Sequence, residues 1–215
     1  MKKFILSLCA ILLCIPGIAS AKAPFPDVNE DYQYLTAIQY LFEKGVITGY
    51  EDNTFKPSKE ISRAEFLKMA VGALEAVAPF STVYNNCFND VKTEWFAPYV
   101  CYALKKGWIQ GYDNGTFLPN NTISRKEAVK MLASIAGYYV YPVVDVAPYT
   151  DVEAGTWIAR YARVAKEKGL IPVGDGKFYP DELMTRGTIT ESLYRAMVIA
   201  KTGHTSFTEY LKSLE

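Results

Sequence analysis

One stretch of this chain occurs three times, and that recurrence limits the fold more than any other feature. Residues 107–127 read GWIQGYDNGTFLPNNTISRKE and residues 45–65 read GVITGYEDNTFKPSKEISRAE. A worn copy covers residues 169–188, GLIPVGDGKFYPDELMTRGT. Each reads as the end of one helix, a tight aromatic turn and the start of a second helix. The copies open at Phe25-Pro26-Asp27-Val28, Phe88-Asn89-Asp90-Val91 and Tyr149-Thr150-Asp151-Val152, with the Asp residues spaced by 63 and then 61 positions. A period of that size marks one supersecondary unit repeated in tandem.

Within each unit the helix signals agree. When Gly45, Gly107 and Gly169 are aligned, Ile38, Val100 and Ala162 coincide, as do Leu41, Ala103 and Ala165. These two columns lie three residues apart on one helix face, and each glycine stands where a left-handed helix stop is wanted. After the turn, Ser62-Arg63-Ala64-Glu65 and Ser124-Arg125-Lys126-Glu127 read as capping boxes, with Thr185 starting the third second helix. Apolar residues at 66, 69, 70, 73, 74 and 77, and at 128, 131, 132, 135, 136 and 139, give half-buried helices. The linker at 137–148 is apolar enough to pack on the body. Residues 206–214 form an amphipathic closing segment with Phe207, Tyr210, Leu211 and Leu214 on one face, and no large domain is expected downstream.

The N-terminus reads as an export signal. Lys2 and Lys3 precede an apolar run at 4–13, Pro16-Gly17 breaks it, and Ala19-Ser20-Ala21 offers a cleavage position. Cys9 and Cys14 each follow a Leu, so cleavage after Ala21 is expected, without lipidation. The 23 basic and 23 acidic residues balance, and losing Lys2 and Lys3 leaves a net charge of −2. Without a basic run, a nucleic-acid partner is not expected. No later stretch is long and apolar enough to span a bilayer. In an oxidising compartment the two remaining cysteines, Cys87 and Cys101, are expected to form a disulfide pinning the start of the second repeat to its first helix.

Taken together, the F-x-D-V-like openings, Trp95 and Trp157, the G-x-I-x-G-Y turns and the Ser-Arg-Ala-Glu type helix starts resemble the S-layer homology domain, over residues 25–202. The resemblance implies a mainly α fold: three tandem helix–turn–helix repeats in a pseudo-threefold, three-pronged bundle, with the second helices clustered centrally. Its segments would be 1–21 signal peptide, 22–86, 87–147 and 148–202 as the three repeats, and 203–215 as the closing segment. It further implies that grooves between prongs bind cell-wall polymer, often a polysaccharide carrying ketal-linked pyruvate. Arg63, Arg125 and Arg186, the Trp position (Trp95, Trp157 and, in the first repeat, Tyr32) and the turn glycines Gly49 and Gly111 would line them. The third repeat departs from the pattern, with Val173-Gly174 for the Gly-Tyr pair and Thr188 for the Glu.

The residues themselves leave alternatives. Each of the three Arg follows a helix cap, an unfavourable place for a cation because that helix end is already positive. Free amides, the dipole and a guanidinium together would make a carboxylate site; the alternative is an ion pair across the repeat interface. On the first reading, replacing all three Arg by Ala should abolish binding and spare the helices. Trp95 and Trp157 are either sugar-stacking platforms or core anchors of the first helices. Asp27, Asp90 and Asp151 read as turn formers. The Asp-Asn-Gly turns lack the ligand pattern of a calcium loop, and two Cys with His204 are too few for zinc. With no cofactor and no nucleophile motif, a non-enzymatic module is expected, and the resemblance makes it an exported, wall-binding one at the cell surface. The alternative is a small lattice subunit or adaptor whose partners are surface-layer proteins.

Overall fold

Ser62, Ser124 and Thr185 each end an extended stretch and begin a helix. The three starts meet around a closed ring of backbone hydrogen bonds. Ile61 N–H donates to the Met184 carbonyl at 3.2 Å, Met184 N–H to Ile123 at 2.9 Å and Ile123 N–H to Ile61 at 3.1 Å. The side chains of these three residues are fully buried. The computed structural model describes residues 23–75, 84–172 and 174–215. The export signal at 1–21 and Val173 therefore lie outside the described residues.

Seven helices and no strand occur among the described residues: α1 (Leu35–Glu43), α2 (Arg63–Leu74), α3 (Ala97–Lys105), α4 (Arg125–Ile135), α5 (Trp157–Lys168), α6 (Arg186–Thr202) and α7 (Phe207–Lys212). Helices α2, α4 and α6 are the second helices of the three repeats, and α2 packs on both of the others. Each first helix packs on the second helix of the preceding repeat: α3 on α2, α5 on α4, and α1 back on α6. The last contact closes the array on itself.

The same turn is built three times. The Asp27 carboxylate accepts the N–H groups of Phe55 and Lys56, both at 2.7 Å. Asp90 does so for Phe117 and Leu118 at 2.8 Å, and Asp151 for Phe178 and Tyr179 at 2.7 Å. The second residue of each pair has a positive φ, 57° for Lys56 and Leu118 and 52° for Tyr179, which costs a non-glycine residue energy. Two charge-assisted hydrogen bonds from one carboxylate offset that cost. Beneath each turn a ring pair stacks: Phe25 on Phe55, Phe88 on Phe117 and Tyr149 on Phe178.

The periphery uses its apolar residues less fully than the sequence pattern indicates. Phe207 is buried against α6, but Leu211 and Leu214 remain exposed because α7 is only 6 residues long. In the linker after α4, Val144 is buried while Tyr139, Val143 and Val146 face solvent.

Candidate functional site

Two open grooves carry the same residues in the same places. The first, about 240 Å³, combines Gly49 and Tyr50 from the first turn, Glu65, Lys68 and Met69 from α2, Trp95 from the second repeat and Arg186 from the third. The second, about 320 Å³, combines Gly111, Tyr112, Glu127, Lys130 and Met131 with Trp157 and Arg63. Each groove is thus assembled from all three repeats.

The tryptophans are surface platforms in both. Trp95 is 56% and Trp157 45% exposed, so neither is a core anchor. A lysine stands by each ring, Lys68 Nζ at 5.5 Å from the Trp95 centroid and Lys130 Nζ at 5.5 Å from that of Trp157. Sequence reasoning missed these lysines, which lie one helical turn beyond Glu65 and Glu127. Their signal was present in the recurrence of Glu-x-x-Lys-Met at 65–69 and 127–131.

The arginines lie deeper. Arg63, Arg125 and Arg186 are only 3%, 6% and 9% exposed. Each leaves its own repeat: Arg63 Nε donates to the Phe117 carbonyl at 3.0 Å, Arg125 Nη1 to Phe178 at 2.5 Å and Arg186 Nη2 to Thr48 at 2.6 Å. Arg63 also pairs with Glu127 at 2.9 Å, and Arg125 with Glu182 at 2.9 Å. Arg186 has no carboxylate partner among the described residues, and its buried Nε has no hydrogen-bond acceptor. Burial pulls its guanidinium below the ordinary value, against the opposing effect of Tyr50 and Glu65.

The helix starts do not supply free amides. The N–H groups of Arg63, Arg125 and Arg186 donate to the carbonyls of Asn121, Glu182 and Lys59 at 2.8–2.9 Å. Those of Ala64, Lys126 and Gly187 donate to Pro119, Pro180 and Pro57 at 2.8–3.0 Å. The expected joint action of open amides and guanidinium on a ligand is thereby corrected: neighbouring turns already saturate those donors. The capping boxes close the third donors, with Glu65 N–H on Ser62 Oγ at 3.1 Å and Thr188 N–H on Thr185 Oγ1 at 3.3 Å. Glu127 accepts from the Ser124 N–H, the Ser124 hydroxyl and the Tyr112 hydroxyl. Burial acts to raise its pKa, but these bonds and Arg63 together hold it below the ordinary 4.5.

Gly49 and Gly111 leave their groove walls without a side chain. A Cβ at Gly111 would sit 2.6 Å from the Thr116 carbonyl and collide with the Phe88 ring. At Gly49 the nearest atoms, Phe25 Cε1 and Thr54 O, are 2.9 and 3.2 Å away. Gly111→Ala should therefore lower the unfolding free energy by about 2 kcal/mol, the scale of overpacking, and Gly49→Ala by less. Chemical denaturation measures both; equal midpoints for wild type and Gly111→Ala would contradict the packing argument.

The third equivalent place is built differently. Thr188, Glu191 and Ser192 replace the Glu, Lys and Met of the other two. Glu191 is buried against Arg195 at 2.7 Å. The half-buried Tyr32, whose phenol burial pushes above its ordinary pKa, sets its hydroxyl where a side chain at Gly187 would go. Arg125 is held there by Phe178 and Glu182. Cys87 and Cys101 are joined in a disulfide. No helix among the described residues is long and apolar enough to cross a membrane.

The sequence is similar to known proteins along most of its length. The family model of the S-layer homology domain matches residues 24–67, 88–129 and 148–189. The chain is 33% identical to the S-layer protein sap of Bacillus anthracis over 201 residues, 92% of this chain and 23% of that one. It is 32% identical over 203 residues to an S-layer protein of Bacillus thuringiensis subsp. finitimus, again 92% and 23% of the two chains. It is also 33% identical over 110 residues to a cellulosome-anchoring protein of Acetivibrio thermocellus, 50% of this chain and 25% of that one. The chain thus spans about a quarter of the length of these relatives.

Proposed function

Because the chain belongs to the S-layer homology domain family and is similar to S-layer proteins, we propose that its two grooves hold acidic sugar units of a wall polysaccharide. Anchoring at the cell surface is the broad role; the grooves are its means, and no chemical step is involved. The observation that carries the reading is the first groove, where a buried guanidinium without a carboxylate partner lies beside Lys68 and an exposed tryptophan. A buried cation is costly until an anion neutralises it. An aromatic face takes the C–H side of a pyranose, while the cations take its carboxylate. A sugar bearing ketal-linked pyruvate offers both. Trp95, Trp157, Gly49 and Gly111 would contact the ring, Arg63 and Arg186 would form the groove floor, and Arg125 with Tyr32 would belong to the third, altered place.

The test is co-sedimentation of residues 22–215 with wall sacculi that retain or lack their acidic polysaccharide. Binding is expected only where the polysaccharide is present. The Trp95→Ala/Trp157→Ala pair should weaken it about tenfold, roughly 1.4 kcal/mol, while both rings' exposure leaves the melting temperature nearly unchanged. Failure to sediment with either preparation would overturn the reading. The exposed Tyr139, Val143 and Val146 favour a second reading, contact with other surface proteins; sedimentation velocity without wall material would show self-association if that dominates.

A further inference from the structure

The two open grooves hold their tryptophans by different means. Trp157 is the first residue of α5. Its neighbour Thr156 caps that helix, accepting the Ala159 N–H at 3.2 Å and donating to the Glu153 carbonyl at 2.8 Å. Trp95 instead lies two residues before α3, outside the helix, and Phe96 at the cap position makes no side-chain hydrogen bond to it. The ring is more exposed than that of Trp157 and rests edge-on against Phe96.

Other contacts hold the Trp95 loop. The Asn86 N–H donates to the Lys92 carbonyl at 3.0 Å, and the Glu94 carboxylate accepts the Lys92 N–H at 2.7 Å. Asn86, at a positive φ of 53°, directly precedes Cys87. Cys87 is bonded to Cys101, which is buried on α3. A continuous path therefore runs from the rigid helix through the disulfide and Asn86 to Lys92, three residues from Trp95. The bond encloses Trp95 in its loop, and the third repeat has no cysteine at all.

We propose that the Cys87–Cys101 disulfide is a positioning element for the first groove: it holds the Asn86–Lys92 contact and thereby the Trp95 platform facing Lys68. Trp157 is positioned by its helix cap and does not depend on the bond. This assignment rests on reading the grooves as sites for acidic glycan. The two cysteines touch no ligand; they act through the loop that carries the ring.

Two measurements on the mature chain decide it. In chains keeping one tryptophan (Trp108→Phe with Trp157→Phe, or Trp108→Phe with Trp95→Phe), acrylamide quenching reports how each ring is held. Cys87→Ser/Cys101→Ser should raise the quenching of Trp95 and leave that of Trp157 unchanged. The second measurement is calorimetric titration with acidic polysaccharide released from wall sacculi, below the unfolding range of every variant. In the Trp157→Ala background, where Trp95 is the remaining platform, the serine pair should weaken affinity about threefold, no more than the loss of the Trp95 ring itself. In the Trp95→Ala background it should change nothing. An equal loss in both backgrounds means general destabilisation and overturns the proposal, as does no loss in either. If the polysaccharide binds neither background nor the unaltered chain, the glycan reading fails, and the quenching comparison still decides whether the disulfide positions Trp95.

Discussion

Arg63→Ala is expected to lower the unfolding free energy of the chain by about 3 kcal/mol, the lower end of the range for breaking a buried ion pair. The side chain is almost fully buried, bonds the Phe117 carbonyl and Glu127, and lies over the Phe117 ring at 4.5 Å. Its removal strips a buried carbonyl of its donor and leaves a cavity between the first and second repeats. Glu127 keeps three other donors, from Ser124 and Tyr112, and this holds the loss to the low end. Arg63→Lys should recover only part, since an ammonium cannot reach both acceptors with the geometry of a guanidinium fork. Urea denaturation followed by circular dichroism measures both; an unchanged midpoint for Arg63→Ala would refute the structural role. A chain with Arg63, Arg125 and Arg186 all changed to Ala should accordingly lose its fold, contrary to the expectation that it would lose binding alone.

The largest effect on binding should come from Lys68→Glu with Lys130→Glu. Each reversal should weaken attachment to acidic wall polysaccharide about tenfold, and the pair about a hundredfold, because the two grooves are separate and their effects add. Lys68 is exposed and Lys130 partly so, and neither forms an ion pair among the described residues. Stability should therefore change little, as for most surface substitutions. Lys212→Glu, on the exposed face of α7, is the control for net charge and should bind as the wild type does. Titration calorimetry with the released polysaccharide gives the comparison. If the double reversal binds as tightly as the control, the acidic-ligand reading is wrong.

The helices and turns could be read from the residues because their causes are local. A capping hydroxyl with a reciprocal side chain three positions on (Glu in the first two repeats, Thr188 in the third), a helix-ending glycine and an Asp beside an aromatic turn act within a few tens of residues. The disulfide, too, followed from cysteine count and compartment. The arginines were harder, because their partners lie in another repeat: Phe117 is 54 residues from Arg63, and Thr48 is 138 from Arg186. Helix-end reasoning saw a cation among open amides; the neighbouring turns that consume those amides are visible only once the array has closed. Lys68 and Lys130 recur three positions after the capping Glu, but the repeat pattern alone does not single them out. Their meaning comes from a tryptophan of the following repeat brought alongside. The same closure leaves Trp95 and Trp157 exposed, outside the core that was their other reading.

That closure sets this chain apart from an open stack of repeats. In a solenoid each unit touches only its neighbours, so order can spread one unit at a time as the polypeptide emerges. Here α1 lies on α6 and the Thr48 carbonyl accepts from Arg186, so the first repeat cannot lock until the third has arrived. Contacts this distant in sequence form slowly. Repeats one and two can pair early through α2 and α3, but the array closes only once residues 186–202 are free to reach back to α1 and Thr48.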